Sequence, residues 1–174
     1  MSMATMQPRF VPTVDAAAYR RALSCFATGI AVVTANCCGE WIGITINSFA
    51  SVSLSPPLIS WSPDKASARH DPFVEAEHFV VHVLSAKQKS VCDGFVRCRD
   101  AFDRERTFLN SDAVPIIPNC LATFECRTRE TIDAGDHTII LGAVKRASFI
   151  EDDPLIFWRG SISAFDRTQA ESIE

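Results

Sequence analysis

Gly43-Ile44-Thr45-Ile46-Asn47-Ser48-Phe49-Ala50-Ser51-Val52-Ser53-Leu54-Ser55-Pro56-Pro57-Leu58 is the run whose reading decides this 174-residue chain. It joins an apolar, β-branched start to a string of hydroxyls and small side chains, and ends on a proline pair. Small residues let a flat ligand approach backbone amides closely. Hydroxyl and amide donors without excess charge suit the polar edge of a flat heterocycle, a polyol chain and a phosphate. The same residues also read as a polar turn that satisfies its own hydrogen bonds.

The flanks read as short strands. Ile30 to Ala35 is a β-branched buried strand, Asn36 to Gly39 a turn, and Trp41 to Asn47 the return strand of a hairpin. Pro56-Pro57 opens a strand over Leu58 to Trp61, where a proline is tolerated at the start. Phe79 to Leu84 is a strand with a continuous apolar core. Asn119 to Arg129 and His137 to Ile150 form a long antiparallel pair, and Leu155 to Trp158 a last strand. Helices are few. Asp15 caps one over Ala16 to Ala27, stopped by Thr28-Gly29, and two more cover Ala66 to Ala76 and Gln88 to Val96. Residues 97–118 form a long loop. Many short strands with few helices between them predict a mainly β barrel or sandwich. Residues 15–166 make one domain between a loose arm, 1–14, and a polar tail, 167–174.

Composition narrows the function. Hydrophobic residues are 47%, charged residues 22% and the net charge is -4, so the chain attracts no polyanion and nucleic acid is not an expected partner. No apolar run approaches the ~20 residues that span a bilayer, and no signal peptide is read at the start, which predicts a cytoplasmic protein without a membrane partner. The seven cysteines are odd in number and scattered. They form no C-x-x-C pair, and no histidine has ligand spacing, so no metal site is expected. Neither a G-x-G-x-x-G fingerprint nor a phosphate-binding G-x-x-x-x-G-K-[ST] loop occurs. Any nucleotide is held another way.

Two further motifs carry chemistry. Lys65 and Ser67, in Asp64-Lys65-Ala66-Ser67-Ala68-Arg69, read as a phosphate site at a helix start or as a solvated helix end capped by Asp64. In Asp133-Ala134-Gly135-Asp136-His137-Thr138, Gly135 permits an unusual turn and Asp136 can orient the His137 imidazole. The bland alternative is a hairpin turn with an exposed histidine. His82 lies inside an apolar strand, where a satisfied core histidine is the simple expectation.

Taken in order, Phe26-Ala27-Thr28-Gly29-Ile30-Ala31-Val32-Val33-Thr34, the Gly43–Leu58 run, Phe79-Val80-Val81-His82-Val83-Leu84, Cys120-Leu121-Ala122-Thr123-Phe124-Glu125-Cys126, the Gly135-Asp136-His137 turn and Leu155-Ile156-Phe157-Trp158-Arg159-Gly160 resemble the short-chain flavin reductases. These are the reductase components of two-component flavin-dependent monooxygenases. The resemblance spans Tyr19 to Phe165. It implies an FMN-binding split β-barrel with Greek-key order, working as a homodimer. It implies FMN, with FAD possible, reduced by NADH or NADPH and passed to an oxygenase component. By that resemblance Thr45, Ile46, Asn47, Ser48, Ala50, Ser51 and Val52 line the flavin. Ser53 with Lys65 and Ser67 holds its phosphate, and His82 and Arg159 add cofactor contacts. Asp136 and His137 form the catalytic pair beside the nicotinamide. Two alternatives share the fold: an oxidase related to the pyridoxamine-phosphate oxidases, and a flavin-binding module without catalysis. The chain departs from the family at His82, where asparagine is common, and at Ser161-Ile162, where a tyrosine often follows the Arg-Gly pair.

Overall fold

The computed structural model describes residues 15–165, so the expected arm and tail lie outside the described residues. Its main body is a seven-stranded sheet built from β2 (Ala31–Cys37), β3 (Glu40–Ile46), β4 (Ala50–Leu54), β5 (Pro57–Trp61), β6 (His78–Val83), β9 (Ala122–Ala134) and β10 (His137–Phe149). The order across the sheet is β3-β2-β6-β9-β10-β5-β4, antiparallel throughout. The two edge strands, β3 and β4, follow each other in the chain, with Asn47, Ser48 and Phe49 between them. Laid flat, seven strands would hold their edges ~29 Å apart. The link from Ile46 to Ala50 reaches at most ~15 Å. The sheet is therefore rolled into a barrel, and Asn47–Phe49 closes its seam. Phe49 anchors the closure by stacking on Phe124, with ring centroids 5.5 Å apart.

Short elements cover the barrel. β1 (Thr28–Gly29) pairs with β11 (Leu155–Trp158), which pairs with β12 (Ser161–Ala164). β7 (Phe108–Leu109) and β8 (Pro115–Ile116) form a small ribbon inside the long loop. The helices are α1 (Ala16–Leu23), α2 (His70–Glu75) and α3 (Lys89–Arg97), with a 3-10 turn at Ala86–Gln88.

Burial follows the period of two along β2. Ala31, Val33 and Ala35 face the barrel interior with Ile42, Ile59, Trp61, Phe73, Phe79 and Ile140. Val32, with Ile30 before the strand, faces outward to Leu84, Cys92, Phe95, Ile117 and Leu155 under α3. Because both faces of β2 are covered, its residues read as a continuous apolar run. Trp61 centres the interior, with Phe73 and Phe79 edge-on at 5.1 and 5.9 Å.

Several boundaries differ from the sequence reading. α1 stops at Leu23 rather than Ala27, although Asp15 caps it as expected, accepting from the Ala18 N–H at 2.9 Å. The helix expected from Ala66 begins only at His70. Asp64 and Ser67 side chains take the amides of Ala66 and Arg69, and such local bonds compete with a helix. β4 and β12 carry hydroxyl-rich, largely exposed sequences without alternation, so their pattern gives no strand signal. β9 begins at Ala122 rather than Asn119, which holds φ at 59°, and runs on to Ala134.

Candidate active site

The seam and the β9–β10 hairpin turn are drawn together by residues 62–70. The Ser48 hydroxyl accepts from the Ser62 N–H at 3.0 Å. Thr138 N–H donates to the Pro63 carbonyl at 3.1 Å, and Lys65 N–H to the Asp136 carbonyl at 2.9 Å. Lys65 Nζ bonds the Asp133 carboxylate at 2.6 Å and the Gly135 carbonyl at 2.7 Å. His70 braces the same place: one ring nitrogen lies 2.8 Å from the Thr138 hydroxyl, the other 2.7 Å from Asp71. Gly135, at φ 69°, supplies the positive angle that a two-residue hairpin turn requires.

That scaffold holds His137 at the turn, with Nδ1 2.8 Å from Asp136 Oδ1 and the side chain 41% exposed. The pair orients the ring as its neighbouring carboxylate implies, leaving Nε2 for a ligand. The His137 hydrogen bond holds the Asp136 carboxyl below the usual range, with a further contribution from the Arg20 charge. Lys65 does the same for Asp133.

At the seam, the Asn47, Ser51 and Ser53 side chains have no hydrogen bond among the described residues. β4 pairs only with β5, so its other edge presents unpaired backbone groups, and a register shift between Ser51 and Ser53 pushes Val52 out to 52% exposure. Ala50 is exposed beside them. Unpaired amides in line with free hydroxyls match the donor and acceptor edge of a flavin ring, so the residues present fit that group. Asn47 borders two hollows. One, about 180 Å³, is walled by Ile30, Thr45, Ile46, Cys92, Val96, Phe157 and Ile162. The other, about 460 Å³, lies between α1, Thr28, Phe157 and the Arg159-Gly160 turn. Ile162 thus stands beside Asn47 near the place where the family often has tyrosine.

Some expected residues have other partners. His82 is fully buried: Nδ1 lies 3.2 Å from the Val32 carbonyl and Nε2 accepts from the Ile117 N–H at 3.1 Å. It is a core histidine with both ring nitrogens engaged by backbone groups, rather than a residue exposed at the seam. Thr45 spends its hydroxyl proton on the Cys92 carbonyl at 2.9 Å, tying β3 to α3. Ile46 is 8% exposed and belongs chiefly to the barrel core. Lys65 and Ser67 precede a six-residue helix rather than start one, so no helix dipole acts on them. Sequence reasoning missed Arg20, Arg21 and Thr28, which reach the Asn47 cleft from residues far away in the chain. Among the described residues no cluster of three or more histidine, cysteine or acidic side chains is arranged for a metal.

The sequence profile described as "Flavin reductase like domain" matches residues 23–166. The chain belongs to this flavin reductase-like family. An FMN reductase (NADH), SmoA, of Agrobacterium fabrum is 50% identical over 159 residues, which are 91% of each chain. A flavin-dependent monooxygenase reductase subunit, HsaB, of Rhodococcus jostii is 34% identical over 158 residues, 88% of this chain and 80% of that one. The structure of a Streptomyces globisporus NADH:FAD oxidoreductase, in complex with NAD and FAD fragments, superimposes with a TM-score of 0.86 at 32% identity, covering 94% of this chain and all of the other. The structural neighbours are flavin reductases of the split-barrel type, and this chain shares that mainly β fold.

Proposed function

We propose that this protein is an NADH:flavin oxidoreductase that reduces FMN and releases it to a separate oxygenase component. The observation that carries the reading is the tether between the open seam and the His137 turn through Ser62, Pro63 and Lys65. It sets a flavin-fitting edge and an oriented imidazole on one side of the barrel. A flavin in that place accepts a hydride from the dihydronicotinamide, and the protein's task is to hold the two rings in register. Asn47, Ser48 and the β4 edge bind by neutral hydrogen bonds, which permits release. Lys65 keeps one ammonium hydrogen and Ser67 its hydroxyl proton for the ribityl phosphate. Asp136 fixes the His137 tautomer, and Nε2 orients the nicotinamide. FAD is accommodated if its adenylate half lies outside the seam.

A second copy of the chain completes the assembly in this reading. Leu54 (95% exposed) and Phe149 (78% exposed) are large apolar side chains that a homodimer would cover. No helix among the described residues is long and apolar enough to cross a membrane. All seven cysteines are free thiols, which supports work in a reducing cytoplasm.

The test is a steady-state matrix of NADH and NADPH against FMN, FAD and riboflavin, without oxygen. Loss of the oxidised-flavin absorbance with matching nicotinamide oxidation is expected, fastest with NADH and FMN. Absence of turnover in every combination would overturn the proposal.

A further inference from the structure

We infer that the cleft walled by Arg20, Arg21 and Arg159 holds the diphosphate bridge of a dinucleotide, a deepening that rests on the reductase reading. The cleft measures about 460 Å³ and is lined also by Ser24, Thr28 and Asn47. In a chain of net charge -4, three arginines line this one cleft. None has a carboxylate within contact distance among the described residues, whereas Arg99, Arg104, Arg127 and Arg146 each pair with an acid. Three arginines without a carboxylate partner around one hollow favour an anion there. Guanidinium forks match phosphate oxygens in pairs, which favours this residue type for the task.

Local helix preference explains part of the arrangement and no more. Arg20 and Arg21 occupy the last turn of α1, where the macrodipole welcomes a cation. Arg159 comes from the β11–β12 turn, 138 residues beyond Arg21, and is held there by stacking over the Trp158 ring at 4.8 Å. The Thr28 hydroxyl is buried without a hydrogen-bond partner on the same wall. Cleft and hairpin turn are joined through the seam: Asn47 lines the cleft, its neighbour Ser48 accepts from Ser62 N–H, and Pro63 and Lys65 bond the turn that carries His137. A nicotinamide at His137 would direct its diphosphate towards this cleft. FMN has one phosphate and no such bridge. NADH and FAD both carry it, and the proximity to His137 favours NADH.

The test uses the full chain and the Arg20→Gln/Arg21→Gln double variant, with thermal melting to establish that the exposed substitutions leave it folded. Loss of charged hydrogen bonds should raise KM for NADH roughly ten- to a hundredfold with FMN saturating, and leave KM for FMN within about twofold. ADP, titrated calorimetrically into the FMN-loaded protein, should bind wild type, more weakly as salt rises, and lose a similar factor in the variant. A rise in KM for FAD alone also supports a diphosphate site and transfers it to the flavin. A folded variant whose KM for NADH, KM for FAD and ADP affinity all match wild type overturns the inference. Should wild type turn over no nicotinamide, the reductase reading fails by itself, and the ADP titration still decides the cleft.

Discussion

His137 Nδ1 lies 2.8 Å from Asp136 Oδ1 at the tip of a hairpin whose next residue, Thr138, is bonded through its own hydroxyl to His70. The imidazole is oriented by its immediate neighbour, while the backbone beneath it is held from another element. Orientation and position therefore have separate sources. His137→Ala should lower turnover with NADH about tenfold or more, the effect of one lost hydrogen bond of 1.5 kcal/mol or so, with little change in flavin affinity. Steady-state kinetics beside flavin titration checks this. Equal losses in both would move His137 from the nicotinamide to the flavin.

Lys65 serves the turn through Asp133 and Gly135 and is the proposed phosphate contact. Lys65→Met should raise KM for FMN by about tenfold while KM for riboflavin, which lacks the phosphate, stays close to wild type. Because the Asp133 pair is largely exposed, thermal stability should drop only slightly. An equal rise for both flavins would assign Lys65 to tethering alone.

Burial lowers the His82 imidazole from 6.5 to about 4, against a smaller opposing pull from the Val32 carbonyl. The unfolded chain binds a proton near pH 6.5 and the folded chain resists until about 4. Stability is thus complete above pH 6.5 and falls as the pH drops towards 4, by on the order of 3 kcal/mol. Urea unfolding compared at about pH 7 and about pH 5 should show His82→Gln with a shallower dependence than wild type. Identical pH slopes would show that the loss comes from other groups.

A Cβ added at Gly43 would overlap the Phe95 ring, which is 1% exposed and packs α3 onto β3. Gly43→Ala should therefore cost about 1–3 kcal/mol in denaturant unfolding. The displaced helix carries Cys92, whose carbonyl takes the Thr45 hydroxyl proton. A neutral substitution would mean that Phe95 has room to move.

The site was legible in unequal parts. Asp136 and His137 are adjacent in the chain, so their pairing follows from the local turn and is realised in the structure. Asn47, Ser51 and Ser53 were singled out through the family resemblance; Ser51 and Ser53 lie on the edge strand β4 and Asn47 on the link before it. His82 shows the limit of motif transfer: its register opposite Val32 turns the ring into the core, where two backbone groups satisfy it.

From the sequence alone came what depends on near neighbours: the mainly β class, the β2–β3 and β9–β10 hairpins, the Asp15 cap and the Asp136–His137 pair. Periodicity, capping and turn chemistry act over a few residues, so they are written locally. Tertiary structure alone decided that β3 and β4 are the two edges of one rolled sheet, that His70 reaches Thr138, and that Arg20, Arg21 and Arg159 meet beside Asn47. Those relationships arise from long-range strand pairing, whose order is set by burying Trp61, Phe73 and Phe79 together rather than by the preference of any short segment.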